Sequence, residues 1–330
     1  MTGDKQRDSA ASDRRKAKPP ARYAVAFGGP TASGKSAAAL AAAKEFGGVV
    51  INADSMQVYR ELAILTARPD AASMAGVPHR LYGVLSAGDV CSAGRWRAMA
   101  LAEIDAAQAA GKLPILAGGT GLYLEALRNG LAPIPPIPGE IRAKARTLML
   151  EEDGPALHER LARIDPAAAA ALRPSDRQRI IRAWQVMTAT GRSILAWQRE
   201  AGQTEEAPEL TTFLFLPDRA TLYAACDRRF ERMIEAGAVE EVQALLALGL
   251  DPGLPAMKAV GVREIAAYLR GEIDRVEMIA RGQRATRNYA KRQYTWFRRR
   301  VPAVQVFNEQ YSERLDRDIF TKIRESRLTL

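Results

Sequence analysis

Gly29-Pro30-Thr31-Ala32-Ser33-Gly34-Lys35-Ser36 is the stretch on which the fold turns, because it fits the phosphate-binding loop G-x-x-x-x-G-K-[ST] at every fixed position. The pattern works only between a buried strand and a helix. Tyr23 to Phe27 is a short apolar run of strand length, and Ala37 to Phe46 is alanine-rich and free of breakers, which predicts a helix. That order aims the loop's backbone N–H groups and the helix N-terminus at one point, where an anion is stabilised by both. Lys35 adds a mobile positive charge, and the Ser36 hydroxyl is placed to help hold Mg²⁺. The loop announces a polyphosphate without naming its owner.

Working outward, Gly48 to Ala53 predicts a second apolar strand, ending at Asp54-Ser55-Met56-Gln57-Val58-Tyr59. In parallel α/β sheets ligands gather at the carboxyl ends of the strands, so Asp54 is expected on the same rim as the phosphate loop. Two roles are open to it there, an acid/base group or a plain cap of the next helix. Pro78 to Val84 suggests another strand entry, with His79 assigned no chemistry, and Ser92 to Ala110 a helix. Leu113 to Ala117 predicts a third core strand, running into Gly118-Gly119-Thr120-Gly121-Leu122-Tyr123. This second glycine-rich turn brings backbone N–H groups and the Thr120 hydroxyl to the same rim, as a substrate contact or as a helix cap.

Pro133, Pro135, Pro136 and Pro138 mark a stiff boundary, and the chain to about 207 has helical periodicity with little strand character. The expected architecture is therefore α/β: a P-loop core (23–132 and 208–330) of parallel sheet flanked by helices, a helical insertion (133–207), and a disordered basic tail (1–22). Within the insertion, Arg173 to Arg199 holds six arginines against one acid, Asp176. Around Gln178 to Met187, Ile180, Trp184 and Met187 fall on one helical face, with Gln178, Arg182 and Gln185 on another. Such an outer face suits a nucleic-acid backbone or base edges, and a solvated face has the same pattern.

Thr212 to Leu216 returns to strand pattern. The following helix carries Leu222, Cys226, Phe230 and Met233 as its apolar stripe, and Arg229 sits inside that stripe. An arginine there must snorkel or meet a fixed anion, since an unpaired buried charge is costly. A diphosphate on the sheet rim or a structural carboxylate would serve. Arg281 to Arg300 then holds eight basic residues and no acid, interleaved with Tyr289, Tyr294, Trp296 and Phe297. Charge and ring faces together are how looped RNA is commonly held, with Trp296 and Phe297 expected in the core.

The bulk numbers agree. The 330 residues are 47% hydrophobic, enough for a large core, and the formal net charge of +10 suggests a polyanionic partner. No apolar run approaches the roughly 20 residues of a membrane span. Two cysteines and two histidines offer neither a disulfide framework nor zinc-finger spacing, so a cytoplasmic location is expected. Taken alone, the constellation fits a kinase acting on a metabolite or nucleotide, a transferase with a diphosphate leaving group, or a non-catalytic RNA-binding protein.

Gly29 to Ser36, Asp54 to Tyr59, Gly118 to Tyr123 and Ala290-Lys291-Arg292-Gln293-Tyr294-Thr295-Trp296-Phe297-Arg298 resemble, in order, the signature blocks of the bacterial tRNA dimethylallyltransferases. The resemblance spans roughly residues 23–308. It implies transfer of a dimethylallyl group from its diphosphate to the exocyclic amine of the adenine 3′ of the tRNA anticodon, with Mg²⁺ as cofactor. It further implies Asp54 as general base, Thr120 and Arg229 at the catalytic site, and Gly29, Pro30, Thr31, Ala32, Ser33, Gly34, Lys35 and Ser36 as the diphosphate cradle, with Ser36 towards the metal. Contacts to tRNA are implied for Asp54, Ser55, Met56, Gln57, Thr120, Arg142, Gln178, Arg179, Ile180, Ile181 and Arg182. The partners are then tRNA and dimethylallyl diphosphate, without a membrane, and the expected state is a monomer. The chain departs from the family pattern at Val262, where tyrosine is frequent, and at Ala225, where arginine is.

Overall fold

A computed structural model describes residues 22–200 and 207–328. Apart from Arg22, which forms an ion pair with Asp105, the expected basic tail lies outside the described residues. The core is one parallel sheet of six strands: β1 (Tyr23–Gly28), β2 (Val49–Asn52), β3 (His79–Arg80), β4 (Pro114–Gly118), β5 (Glu209–Phe215) and β6 (Gln305–Phe307). They lie in the order β3-β2-β4-β1-β5-β6, with every pairing parallel. The apolar runs of β1, β2 and β4 are buried along their whole length, as strands covered on both faces must be. The strand expected over 78–84 is only the two-residue edge β3, because Leu81 turns the chain away with φ 63° and the Asn52 amide donates to its carbonyl.

Alternation along β1 assigns the two faces. Tyr23, Val25 and Phe27 pack with α1 (Lys35–Phe46) and, much later in the chain, Ile319 and Ile323. Four alanines of α1, Ala38, Ala39, Ala42 and Ala43, let that helix lie close on the sheet. Ala24 and Ala26 face the larger opposite layer. After the short α2 (Ala71–Met74), this layer begins with α3 (Ala93–Ala109) and α4 (Gly121–Asn129). The Trp96 ring of α3 stacks on Tyr123 of α4 at 4.3 Å between centroids, and its indole N–H donates to the Asn52 carbonyl at 2.8 Å.

Between β4 and β5 the chain past the prolines is helical: α5 (Gly139–Glu151), α6 (Gly154–Ile164), α7 (Pro166–Ala170), α8 (Arg177–Thr190) and α9 (Ile194–Arg199). These helices share a buried cluster of their own, built on Leu148, Leu157, Leu161, Ile180 and Trp184. After β5 follow α10 (Arg219–Glu235), α11 (Ala238–Ala247), α12 (Val262–Leu269), the 26-residue α13 (Arg275–Arg300) and, beyond β6, α14 (Asp316–Leu328). Among the described residues no helix is long and apolar enough to cross a membrane.

Candidate active site

Strands β2, β4 and β1 are neighbours and end on one rim, so the three loops singled out in the sequence meet there. The phosphate loop leaves β1 and enters α1 at Lys35. Gly34 is required twice over: its φ is 87°, and a Cβ would lie 2.8 Å from that of Tyr311, which buttresses the loop from behind. Ala32 also holds a positive φ, 64°, and its carbonyl accepts from Gln310 at 2.7 Å. Such backbone turns its N–H groups into a concavity suited to an anion. At β4 a Cβ on Gly118 would sit 2.1 Å from the Ala53 carbonyl, so only glycine lets the 118–120 turn abut the strand end that carries Asp54.

Asp54 does not cap a helix. Its Oδ1 accepts from the Met56 N–H at 2.9 Å in a local turn, which fixes the carboxylate on the wall of a cavity of about 230 Å³. Ser55, Met56 and Gln57 line the same cavity, as do Thr31, Lys35, Ser36 and Arg229. Thr120 sits at the N-cap position of α4 without a capping bond. Its hydroxyl accepts instead from the Ser55 N–H at 2.9 Å and lies 3.2 Å from the Ser55 hydroxyl, tying the two substrate-facing turns together.

Arg229 of α10 reaches into the cavity and donates to the Thr66 carbonyl at 3.2 Å. Among the described residues no carboxylate pairs with it at contact distance. Burial pulls its pKa down, and the Asp54 carboxylate opposes that fall. Burial, then the neighbouring Arg229 charge, draws Lys35 down to about 8 despite Asp54. The two cations thus repel across a space that a diphosphate would fill. Cys226 is buried beside them and its thiol is pushed up to about 11, chiefly by burial, so it is no nucleophile.

The cavity also holds residues that the sequence did not single out, Lys258 and Thr286 among them, and others named there only within the basic stretch, Tyr289 and Arg292. Burial pushes the Tyr289 phenol up, leaving a neutral hydroxyl beside Thr120. Gln293 lies deeper. Its Oε1 accepts from the Thr31 N–H and its Nε2 donates to the Gly119 carbonyl, both at 2.8 Å, so α13 pins the phosphate loop to the second glycine turn. In the sequence it stood inside the Ala290 to Arg298 block, with nothing to set its role apart from the charges and rings around it. Phe297 bears out the core reading, being fully buried, whereas Trp296 is only half-buried, its ring packed where a Gly121 Cβ would be.

The implied RNA contacts divide. Gln178, Arg179 and Arg182 are exposed on α8 and Arg142 is exposed on α5, none of them on the cavity wall. Ile180 and Ile181 require a correction: at 0% and 7% exposure they belong to the helical cluster and hold α8 in place rather than touching a partner. Val262 and Ala225 are buried and offer the cavity neither a hydroxyl nor a charge.

Comparison with known proteins gives one answer. The chain is 55% identical over 292 residues to a tRNA dimethylallyltransferase of Rhodospirillum centenum, covering 88% of this chain and 93% of the relative. It is 54% identical over 306 residues to one of Paramagnetospirillum magneticum, covering 93% and 97%. The crystal structure of the full-length tRNA isopentenylpyrophosphate transferase of Bacillus halodurans superposes with a TM-score of 0.65 at 31% identity, over 93% of this chain and 99% of that one. A eukaryotic dimethylallyltransferase acting on tRNA shares the fold, with a TM-score of 0.76 at 23% identity over 91% and 80%. The family model described as IPP transferase matches residues 57–300, most of the chain. On these identities and this match, the chain belongs to the IPP transferase family.

Proposed function

We propose that the protein transfers a dimethylallyl group from dimethylallyl diphosphate to the exocyclic N6 amine of the adenine 3′ of a tRNA anticodon, position 37, releasing diphosphate. The observation that carries this reading is the single cavity with a diphosphate cradle on one wall and the Asp54 carboxylate on another. In the reaction the bond from the prenyl C1 to the diphosphate oxygen breaks, and a bond from N6 to C1 forms. The N6 proton passes to Asp54. A carboxylate is too weak a base to strip an aromatic amine beforehand, so it accepts the proton as bond formation makes the nitrogen acidic. Lys35, Arg229 and the loop N–H groups stabilise the charge that develops on the leaving diphosphate. Because the allylic diphosphate is already activated, no ATP is consumed.

Asp54 is the cavity's one lining carboxylate, beside hydroxyls that include Ser36 of the phosphate loop, and the described residues contain no cluster of three His, Cys, Asp or Glu side chains. That set fits Mg²⁺, which is usually held by one or two protein groups together with phosphate oxygens and water. Bound there through Ser36, it would neutralise diphosphate charge. In this reading the helical unit 133–207 grips the RNA through Gln178, Arg179, Arg182 and Arg142, and the target base leaves its stack to reach the cavity. The enzyme acts as a cytoplasmic monomer.

The test is to incubate the protein with dimethylallyl diphosphate, Mg²⁺ and an anticodon stem-loop RNA, without ATP. The expected outcome is release of diphosphate and an RNA heavier by one prenyl group. Asp54→Ala should abolish turnover and largely keep RNA affinity. A requirement for ATP would restore the kinase reading, and unchanged turnover in Asp54→Ala would remove that carboxylate from the mechanism.

A further inference from the structure

Glu241 lies outside the cavity, on the first turn of α11, yet its carboxylate does unusual work. One oxygen accepts from the N–H groups of Ala63 and Ile64, at 2.6 and 2.7 Å, and the other accepts from Leu65 at 2.8 Å. Three consecutive backbone donors are thereby drawn onto one charged side chain, the kind of hydrogen bond that is shorter and stronger than a neutral one. The segment so gathered continues directly into the cavity. Leu65 lines it, and the next two carbonyls each hold a functional side chain. The Thr66 carbonyl accepts from Arg229 at 3.2 Å and from the Gln57 amide at 3.0 Å, and the Ala67 carbonyl accepts from Gln57 at 3.1 Å.

We infer that Glu241 is a positioning residue for the transfer reaction: by clamping the 63–65 turn it fixes the Thr66 and Ala67 carbonyls, and through them the Arg229 guanidinium and the Gln57 amide. The inference rests on the prenyl-transfer reading of the cavity. Its physical basis is that, among the described residues, Arg229 has no carboxylate to hold it. A backbone carbonyl restrains a guanidinium only as well as the backbone itself is restrained, and this loop has no regular secondary structure between Leu62 and Ala67. Without Glu241 three N–H donors lose their acceptor together, and the turn can rearrange to find others. The diphosphate-binding side of the cavity and the side carrying the Asp54–Gln57 block would loosen at once, since both are fastened to the same two carbonyls.

A double-mutant cycle between Glu241 and Arg229, read as the affinity for dimethylallyl diphosphate, separates positioning from general damage. Glu241→Ala is expected to weaken binding about 10- to 100-fold, the scale of a misplaced binding group. In an Arg229→Ala background the same change should weaken it less than about twofold, because the group it positions is gone. Glu241→Gln, whose amide oxygen still serves Ala63 and Ile64, should fall between. Leu245→Ala, which removes a buried side chain from the same helix, should lower the melting temperature without the loss of affinity. Full additivity of Glu241→Ala and Arg229→Ala, or an equal loss of affinity in Leu245→Ala, would overturn the inference while leaving prenyl transfer intact. Failure of the unaltered protein to bind dimethylallyl diphosphate would overturn the reading beneath it and this inference with it.

Discussion

Burial beside Arg229 draws the Lys35 ammonium down to about 8, which sets stability and binding against each other at one residue. A lysine whose folded-state pKa lies below its unfolded value destabilises the fold while it is charged. That penalty is fully present below pH 8 and is relieved as pH rises from 8 towards the unfolded value. Lys35→Met is therefore expected to stabilise the ligand-free protein at pH 7 by about 1–2 kcal/mol, measured by urea denaturation, while abolishing diphosphate binding. In the unaltered protein diphosphate affinity should be flat below pH 8 and fall above it, with proton uptake on binding detectable by calorimetry in buffers of different ionisation enthalpy. Phosphate-loop lysine and Asp54 were both legible in the sequence, because fixed spacing after a buried strand states where they emerge. The fate of the Thr120 hydroxyl was not, since a cap and a cross-loop bond to Ser55 place the same residue at the same helix start.

Elements differ in how they use their two faces. Helix α13 reads as a basic surface helix, yet one buried glutamine makes it the cross-brace of the active site. Gln293→Ala leaves the Gly119 carbonyl and the Thr31 N–H without partners, so it should cost about 1–3 kcal/mol of stability and weaken diphosphate binding. Gln293→Glu, which sets a buried carboxylate oxygen against the Gly119 carbonyl, should not recover the loss. Helix α8 divides more simply, with Ile180, Ile181 and Trp184 inward and Gln178, Arg179 and Arg182 outward. Arg179→Ala and Arg182→Ala should each weaken stem-loop binding and lower the slope of log affinity against log salt by about one, with diphosphate affinity unchanged. A block of residues inherited whole from a family pattern thus mixes exposed side chains with buried support. Helical periodicity distinguishes Ile180 and Ile181 from their neighbours as soon as the apolar face is known to be covered.

Across the whole molecule, the sheet rim supplies chemistry and the helices between β4 and β5 supply a second, separately cored body. Cationic side chains from four distant parts of the chain, Lys35, Arg229, Lys258 and Arg292, converge on one cavity whose only lining acid is Asp54. In the proposed reading one stem-loop spans rim and helices, for which a single copy of the protein would suffice. Sedimentation or light scattering should accordingly give one 36 kDa chain, and one chain per RNA in the complex.

The sequence by itself determined the parallel α/β core, the phosphate loop, the emergence of Asp54 on its rim and the helical run after the prolines, because each is written in local periodicity and short fixed spacings. Only the tertiary structure decided that Gln293 ties the two glycine turns together, that the Thr66 carbonyl accepts from Arg229, and that Glu241 gathers the N–H groups of Ala63, Ile64 and Leu65. Those contacts join residues more than 160 positions apart, and nothing in the identity of a glutamine, a glutamate or a backbone carbonyl says which distant partner it will meet.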